Sequence, residues 1–180
     1  MSYQQALTAE LILGGARSGK SRYAESKAQD SALPVVYIAT AQALDPEMDQ
    51  RIVHHRESRP AHWPTVEEPL LLAQALQQAA QQHPGAVILV DCLTLWVTNC
   101  LLHEDEQFWP QQKQALLDVL AQLRCPLLLV SNEVGQGVVP MGELSRRFVD
   151  ESGRLHQDIA ALVEAVTLVV AGIPVAVKRP

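Results

Sequence analysis

One stretch decides the fold of this chain: Leu11-Ile12-Leu13-Gly14-Gly15-Ala16-Arg17-Ser18-Gly19-Lys20-Ser21. From Gly14 to Ser21 it fits the pattern G-x-x-x-x-G-K-[ST], in which glycines let backbone N–H groups curl around phosphate oxygens. Lys20 supplies a positive charge for the β- and γ-phosphates of a nucleotide, and Ser21 supplies a hydroxyl for Mg²⁺. A glycine-rich turn without a ligand is the less favoured reading, because the whole octet matches between a strand-like run and a helix-like segment. The stretch predicts a nucleotide site.

Short apolar runs recur along the chain and predict a largely parallel sheet. The first five are separated by stretches long enough to hold helices, and they are almost continuously apolar, as strands buried on both faces are. Only residues 172–174 separate the last two, so we expect an antiparallel hairpin at one edge of the sheet. The fold class is therefore α/β. The runs are Leu11–Leu13, Val35–Ala39, Val87–Val90, Leu127–Val130, Thr167–Ala171 and Val175–Val177.

Length and composition favour a single catalytic domain spanning residues 1–180, with 48% hydrophobic and 19% charged residues. A net charge of -6 disfavours a nucleic-acid partner and fits a small ligand better. The three cysteines include no C-x-x-C pair, which disfavours a disulfide framework and a thiolate zinc site. No apolar run reaches the roughly 18 residues of a membrane span, and we expect a cytoplasmic protein.

Polar residues follow the second, third and fourth runs, where ligands of open α/β sheets bind. Asp91 ends the third run, at the position where phosphate-loop enzymes hold the acid that helps bind Mg²⁺. We favour that role over the alternative, an N-cap of the next helix. The loop over residues 131–137 is equally well read as a substrate contact or as a plain connection.

A helix is predicted from Asp45 to about Ser58, with Asp45 as its cap and Pro46 at its first position. At about 100° per residue, His55 falls on the apolar stripe of this helix, whereas His54 lies on the other side. For most isolated pairs of histidines the favoured interpretation is that both are ordinary polar helix residues. Here the nearby Arg51, Arg56 and Arg59 favour an anionic neighbour, which strengthens the case for His54 without settling its role.

Several further motifs accompany the phosphate loop in order along the chain. They are Tyr37-Ile38-Ala39-Thr40-Ala41-Gln42, Asp45-x-Glu47-Met48-x-x-Arg51-Ile52-x-His54-His55, Arg59-Pro60-Ala61-His62-Trp63, Thr98-Asn99, Asn132-Glu133-Val134-Gly135-x-Gly137-Val138-Val139-Pro140 and Val169-Val170-Ala171-Gly172-Ile173. Together with the phosphate loop, these motifs resemble the bifunctional adenosylcobinamide kinase/adenosylcobinamide-phosphate guanylyltransferase family (the CobU/CobP family). The similarity runs from about Ile12 to Lys178.

This resemblance implies two reactions and a RecA-like phosphate-loop fold. The family phosphorylates adenosylcobinamide with ATP or GTP, and then transfers GMP from GTP onto adenosylcobinamide phosphate, which gives adenosylcobinamide-GDP and pyrophosphate. His54 is implied to carry the guanylyl group, with Lys20 as the second catalytic residue. The resemblance also implies a homotrimer.

The resemblance further implies which residues surround bound GTP. Besides residues 14–21, they are Thr40, Ala41, Gln42, Glu57, Ser58, Arg59, Pro60, Glu67 and Asp91, and the Mg²⁺ ligands are Ser21 and Asp91.

Two other functions are compatible with a phosphate loop alone. The first is a plain small-molecule kinase in which His54 is structural. The second is a GTPase switch, which we rank low because residues 91–94 lack the glycine of D-x-x-G and residues 132–135 are not N-K-x-D.

Overall fold

A computed structural model describes residues 8–42 and 60–179. The helix predicted from Asp45 to about Ser58, with His54 and His55, lies outside these residues. The described part contains seven strands and five helices. They are β1 (Ala9–Gly14), α1 (Lys20–Asp30), β2 (Val35–Ala39), β3 (Thr65–Glu67), α2 (Leu72–Gln82), β4 (Val87–Asp91), α3 (Leu93–Leu101), α4 (Phe108–Gln122), β5 (Leu127–Asn132), α5 (Glu143–Leu162), β6 (Ala165–Val170) and β7 (Ile173–Lys178).

The strands form one sheet in the order β3-β2-β4-β5-β1-β6-β7. Neighbouring strands are parallel except β6 and β7, which are antiparallel. The predicted α/β class and the predicted edge hairpin are therefore confirmed. The turn is shorter than the predicted three residues, because β7 already begins at Ile173 and includes Pro174. Ala171 and Gly172 make the turn with φ angles of 52° and 80°, which match the twist of a tight hairpin.

The strand β3 is absent from the sequence prediction. It has only three residues, all exposed, and it extends the sheet beyond β2. A short edge strand of this kind carries no continuous apolar run, so the pattern that identified the inner strands does not detect it.

The inner strands are buried on both faces, which explains their nearly continuous apolar sequences. Neighbouring residues of β1 point into different clusters: Leu11 packs with the core that includes Trp96 of α3, whereas Ile12 packs with the core that includes Ala24 and Ala28 of α1. Each of these five side chains is fully buried. Helix α1 therefore covers one face of the sheet and places the phosphate loop at the carboxyl end of β1.

A buried carboxylate fastens α1 to the sheet. Glu10 of β1 is 2% exposed, and its carboxylate accepts hydrogen bonds from Lys27 of α1 and, at 2.6 Å, from Thr167 of β6. Because the charge is paired and both oxygens are hydrogen-bonded, its burial is compensated. The interaction links the helix that follows the phosphate loop to two neighbouring strands.

Helix α2 ends at Gln82, shortly before Pro84, whose ring cannot continue a helix. Among the helices of residues 8–42 and 60–179, none is long and apolar enough to cross a membrane.

Candidate nucleotide site

The phosphate loop joins β1 to α1, and its glycines are required by close contacts. A Cβ atom on Gly14 would lie 2.4 Å from Ser18 Oγ and 2.8 Å from the carbonyl oxygen of Val169. Gly19 has a φ angle of +92°, and a Cβ atom there would lie 3.2 Å from Gly172 Cα. Gly15 has no atom near its Cβ position and is exposed. The two outer glycines of the pattern are thus fixed by packing and conformation.

The lysine of the loop folds back over it. Lys20 is 9% exposed, and its Nζ donates to the Gly15 carbonyl oxygen at 3.2 Å. Arg17, at the exposed tip, has a positive φ of 55°, which is uncommon for a residue with a side chain. Ser21 lies in the first turn of α1 and is half-buried. The loop therefore presents backbone N–H groups, a lysine and a hydroxyl at one helix N-terminus, the groups that bind phosphate.

Asp91 ends β4 and is not the N-cap of the following helix. The N-cap position of α3 is occupied by Cys92, and no side chain caps that helix. The Oδ2 atom of Asp91 is buried and has no hydrogen-bond partner among residues 8–42 and 60–179. Burying a carboxylate oxygen without a hydrogen-bond donor costs free energy, unless a cation or a water molecule binds to that oxygen.

Thr40 is fully buried and binds the backbone beside Asp91. Its Oγ1 donates to the Cys92 carbonyl oxygen at 2.6 Å and accepts from the Cys92 N–H at 3.0 Å. Its own carbonyl oxygen accepts a hydrogen bond of 2.9 Å from Asn99 of α3. The Thr40 side chain thus holds the end of β4 in place and has no exposed surface for a ligand.

Three strand ends lie side by side at this edge of the sheet. Ala39 is the partner of Glu67 in β3 and of Asp91 in β4, so the two carboxylate residues flank the end of β2. Ala41 and Gln42 follow and are half-buried, as is Pro60. The remaining predicted site residues lie outside the described part of the chain. They are His54, Glu57, Ser58 and Arg59.

A polar network that the sequence prediction did not include joins β4, β5 and α3. Thr94 Oγ1 accepts a hydrogen bond of 3.0 Å from Asn132 Nδ2 and lies 3.2 Å from Cys92 Sγ. Burial, and next the negative charge of Asp91, raise the pKa of the Cys92 thiol to about 11. The thiol is therefore protonated at neutral pH and is not a nucleophile. The polar residues at the strand ends could be recognised in the sequence as site candidates. Nothing in the sequence indicated that Thr94 pairs with Asn132.

A second buried pair joins β5 to α5. Ser131 Oγ and His156 Nε2 are 2.7 Å apart, and both residues are buried. Burial lowers the pKa of His156, and the opposing effect of Glu133 is smaller. The imidazole is therefore neutral at pH 7. The sequence offered no signal for this pair, because the two residues are 25 positions apart.

The loop over residues 133–142 follows β5 and begins beside the phosphate loop. The N–H of Glu133 donates to the Gly14 carbonyl oxygen at 3.0 Å, and Glu133 Oε1 accepts from the Gly135 N–H at 2.7 Å. Farther along, Val138 and Met141 are almost fully exposed. The beginning of this connection is thus part of the site's framework, and its apolar far end faces outward.

A groove of about 820 Å³ lies elsewhere, between α4 and α5. Trp109, Lys113 and Arg154 are among its lining residues, and neither Asp91 nor any residue of the phosphate loop lines it. The chemistry expected of the phosphate loop is therefore not located in this groove.

Comparison with known proteins agrees with this geometry. The family profile described as "Cobinamide kinase / cobinamide phosphate guanyltransferase" matches residues 10–177. The ATPase of a type III secretion system from pathogenic bacteria superposes with a TM-score of 0.55, at 8% identity over 94% of this chain and 56% of that one. This likeness concerns the fold alone and supports a RecA-like sheet.

Two relatives match over nearly their whole length. One is "Bifunctional adenosylcobalamin biosynthesis protein CobP" of Pseudomonas aeruginosa, 59% identical over 94% of this chain and 96% of the relative. The other is "Bifunctional adenosylcobalamin biosynthesis protein CobU" of Escherichia coli, 45% identical over 93% of this chain and 98% of the relative. The chain therefore belongs to the cobinamide kinase/cobinamide phosphate guanyltransferase family.

Proposed function

We propose that this chain phosphorylates adenosylcobinamide with ATP or GTP and then converts adenosylcobinamide phosphate into adenosylcobinamide-GDP. The observation that carries the proposal is the family match over residues 10–177, which includes the phosphate loop and Asp91. In the first reaction the substrate's hydroxyl oxygen attacks the γ-phosphorus and the nucleoside diphosphate leaves. In the second reaction GMP is transferred from GTP and pyrophosphate leaves.

Lys20 and the loop amides bind the phosphates in both reactions. Charge builds up on the leaving nucleoside diphosphate in the first reaction and on pyrophosphate in the second. Donors already held in place stabilise that charge without reorganisation. The bond from Lys20 Nζ to the Gly15 carbonyl oxygen supports this role, because it keeps the ammonium group over the loop.

Ser21 and Asp91 are suited to hold Mg²⁺. Both residues offer oxygen atoms, the ligands that this ion prefers. A cation would compensate the buried charge of Asp91 Oδ2, which has no hydrogen-bond donor within the described residues. When bound, Mg²⁺ neutralises charge on the β- and γ-phosphates. The hydrogen bonds from Thr40 to Cys92 support this assignment, because they fix the backbone next to Asp91.

His54 is proposed to be the nucleophile of guanylyl transfer. Its neutral imidazole nitrogen attacks the α-phosphorus of GTP, and the bond between the α- and β-phosphates breaks as pyrophosphate leaves. A phosphate oxygen of adenosylcobinamide phosphate then attacks the same phosphorus and releases the histidine. The remaining residues proposed around GTP are Thr40, Ala41, Gln42, Glu57, Ser58, Arg59, Pro60 and Glu67. Of these, Thr40 acts by positioning the strand ends, because it is fully buried and its hydroxyl, N–H and carbonyl groups are already hydrogen-bonded.

We further propose a homotrimer in the cytoplasm. The loop over residues 133–142 exposes Val138, Val139 and Met141, each by 73% or more. Large apolar side chains exposed close together in the chain favour contact with another chain. The three free cysteines fit a reducing compartment.

Labelling with GTP that carries a radioactive α-phosphate tests the nucleophile. We expect acid-labile, base-stable label on the wild type and on His55→Ala, the matched control, but none on His54→Ala. Phosphorylation of adenosylcobinamide by ATP should persist in His54→Ala. Label on a folded His54→Ala protein would contradict the covalent step, and a complete lack of label on the wild type would favour the plain kinase.

A further inference from the structure

The turn between β6 and β7 packs directly against the phosphate loop. The N–H of Gly172 donates to the Ser18 carbonyl oxygen at 2.8 Å. Gly172 Cα also lies 3.2 Å from the position of a Cβ on Gly19, and the carbonyl oxygen of Val169 lies 2.8 Å from that of a Cβ on Gly14. One hydrogen bond and two close approaches of the backbone therefore join the loop to the end of this hairpin. The family comparison assigns no role to the hairpin.

The turn lies on the side of the loop away from Asp91. Strand β1 has β5 and then β4, which carries Asp91, on one side, and β6 and then β7 on the other. The terminal phosphates of a nucleotide are drawn toward Lys20, Ser21 and Asp91, where their charge is compensated. A nucleoside triphosphate is an elongated molecule, so its nucleoside leaves the loop on the opposite side, over the end of β6.

The surface at that place is apolar. Val170 and Ile173 are partners across the hairpin, and they are 54% and 65% exposed. Between them lie Ala171 and Gly172, and Pro174 follows, so that no side chain over residues 169–175 offers a hydrogen-bonding group. Aliphatic side chains of this kind pack against the face of a purine ring and do not select adenine or guanine by side-chain hydrogen bonds.

We propose that the β6–β7 turn binds the purine nucleoside of the phosphate donor, with Val170 and Ile173 packing against the base. The inference rests on the proposed function and deepens it by locating the donor's nucleoside. It concerns the phosphoryl donor, because the GTP contacts proposed for guanylyl transfer at Ala41 and Gln42 lie past the end of β2, on the other side of the loop.

Comparing the binding of ATP with that of inorganic tripolyphosphate, each with Mg²⁺, tests whether the turn contacts the base or only supports the loop. The test variant is Val170→Ser with Ile173→Ser, and the matched control is Val175→Ser with Val177→Ser, on the same exposed hairpin but farther from the loop. Calorimetric titration should show ATP affinity reduced roughly 5- to 20-fold in the test variant. Tripolyphosphate affinity should change by less than about twofold, since tripolyphosphate has no base.

Several results would overturn the inference. One is unchanged ATP affinity in the folded test variant; another is an equal loss for ATP and tripolyphosphate, which means that the turn only supports the loop. An equal loss of ATP affinity in the control pair, or a loss explained by altered molecular mass in size-exclusion chromatography, would assign the effect to a subunit contact. Failure of the proposed function is distinguishable: wild type that binds ATP but does not phosphorylate adenosylcobinamide refutes that function and leaves the binding test intact.

Discussion

Gly14→Ala should destabilise the fold, whereas Gly15→Ala should not. The added Cβ at position 14 meets Ser18 Oγ at 2.4 Å and the carbonyl oxygen of Val169 at 2.8 Å. The Ser18 hydroxyl can rotate away, but the second atom belongs to the backbone of β6 and moves only with the strand. Overpacking of this kind costs about 1–3 kcal/mol, and contact with a strand backbone places Gly14→Ala near the upper end.

The matched substitution meets no such obstacle. Within the described part of the chain, no atom lies within 4 Å of the Cβ position on Gly15, and the φ angle of Gly15 is not in the left-handed region. Gly15→Ala should therefore change the free energy of unfolding by less than about 0.5 kcal/mol, or raise it slightly by restricting the unfolded chain. Both variants keep the backbone N–H groups, so that they differ in packing alone.

Urea unfolding measures the difference. With a slope near 2 kcal/mol per molar urea, Gly14→Ala should lower the midpoint by about 1 M relative to Gly15→Ala. Adding Ser18→Ala to Gly14→Ala should recover only part of the loss, because the contact with Val169 remains. Equal midpoints for the two single variants would refute the reasoning, and so would full recovery in the double variant.

Three further predictions follow from buried polar groups. Thr40→Val should lower the free energy of unfolding by about 1–3 kcal/mol, because the buried Cys92 N–H loses its acceptor, while the Cys92 carbonyl oxygen keeps the Trp96 N–H as a donor. Thr40→Ser should retain most of the stability, and equal urea midpoints for the two variants would contradict this. The free energy of unfolding should fall as pH drops below 6.5, the ordinary pKa of histidine, because the unfolded chain then takes up a proton that buried His156 does not accept. His156→Gln should flatten this part of a plot of urea midpoint against pH. An unchanged slope would count against burial of the neutral ring. Asp91→Asn should weaken the binding of tripolyphosphate with Mg²⁺ by about tenfold or more, because it removes a charged oxygen ligand of the ion. Calorimetry should show that binding without Mg²⁺ is unchanged. An equal loss of affinity with and without Mg²⁺ would argue against the metal role.

The phosphate loop and the inner strands were predictable because their information is local. A strand buried on both faces must be apolar at nearly every position, and β1, β2, β4 and β5 are. The octet over residues 14–21 needs glycine where the chain makes close contacts and lysine where phosphate charge lies, so its spacing can be recognised without a structure. The short exposed strand β3 has no such local requirement and was missed.

The same limit applies to the candidate site. Asp91 was correctly located at a strand end, but only the structure distinguished it from an N-cap, because the helix begins after Cys92. Thr40 was expected beside the nucleotide; its side chain instead binds the backbone of a residue 52 positions away. Nothing in the spacing of Thr40 and Cys92 encodes that contact, because it depends on β2 and β4 becoming neighbours in the sheet.

The sequence by itself determined the chemistry of this protein: a phosphate loop, an acid at a parallel strand end, and motifs that identify the family. Tertiary structure alone decided which surfaces adjoin that chemistry, because strand order brings together residues that are far apart in the chain. The contact between Gly172 and Ser18 exists because β6 lies next to β1. This contact places the last hairpin beside the phosphate loop over residues 14–21.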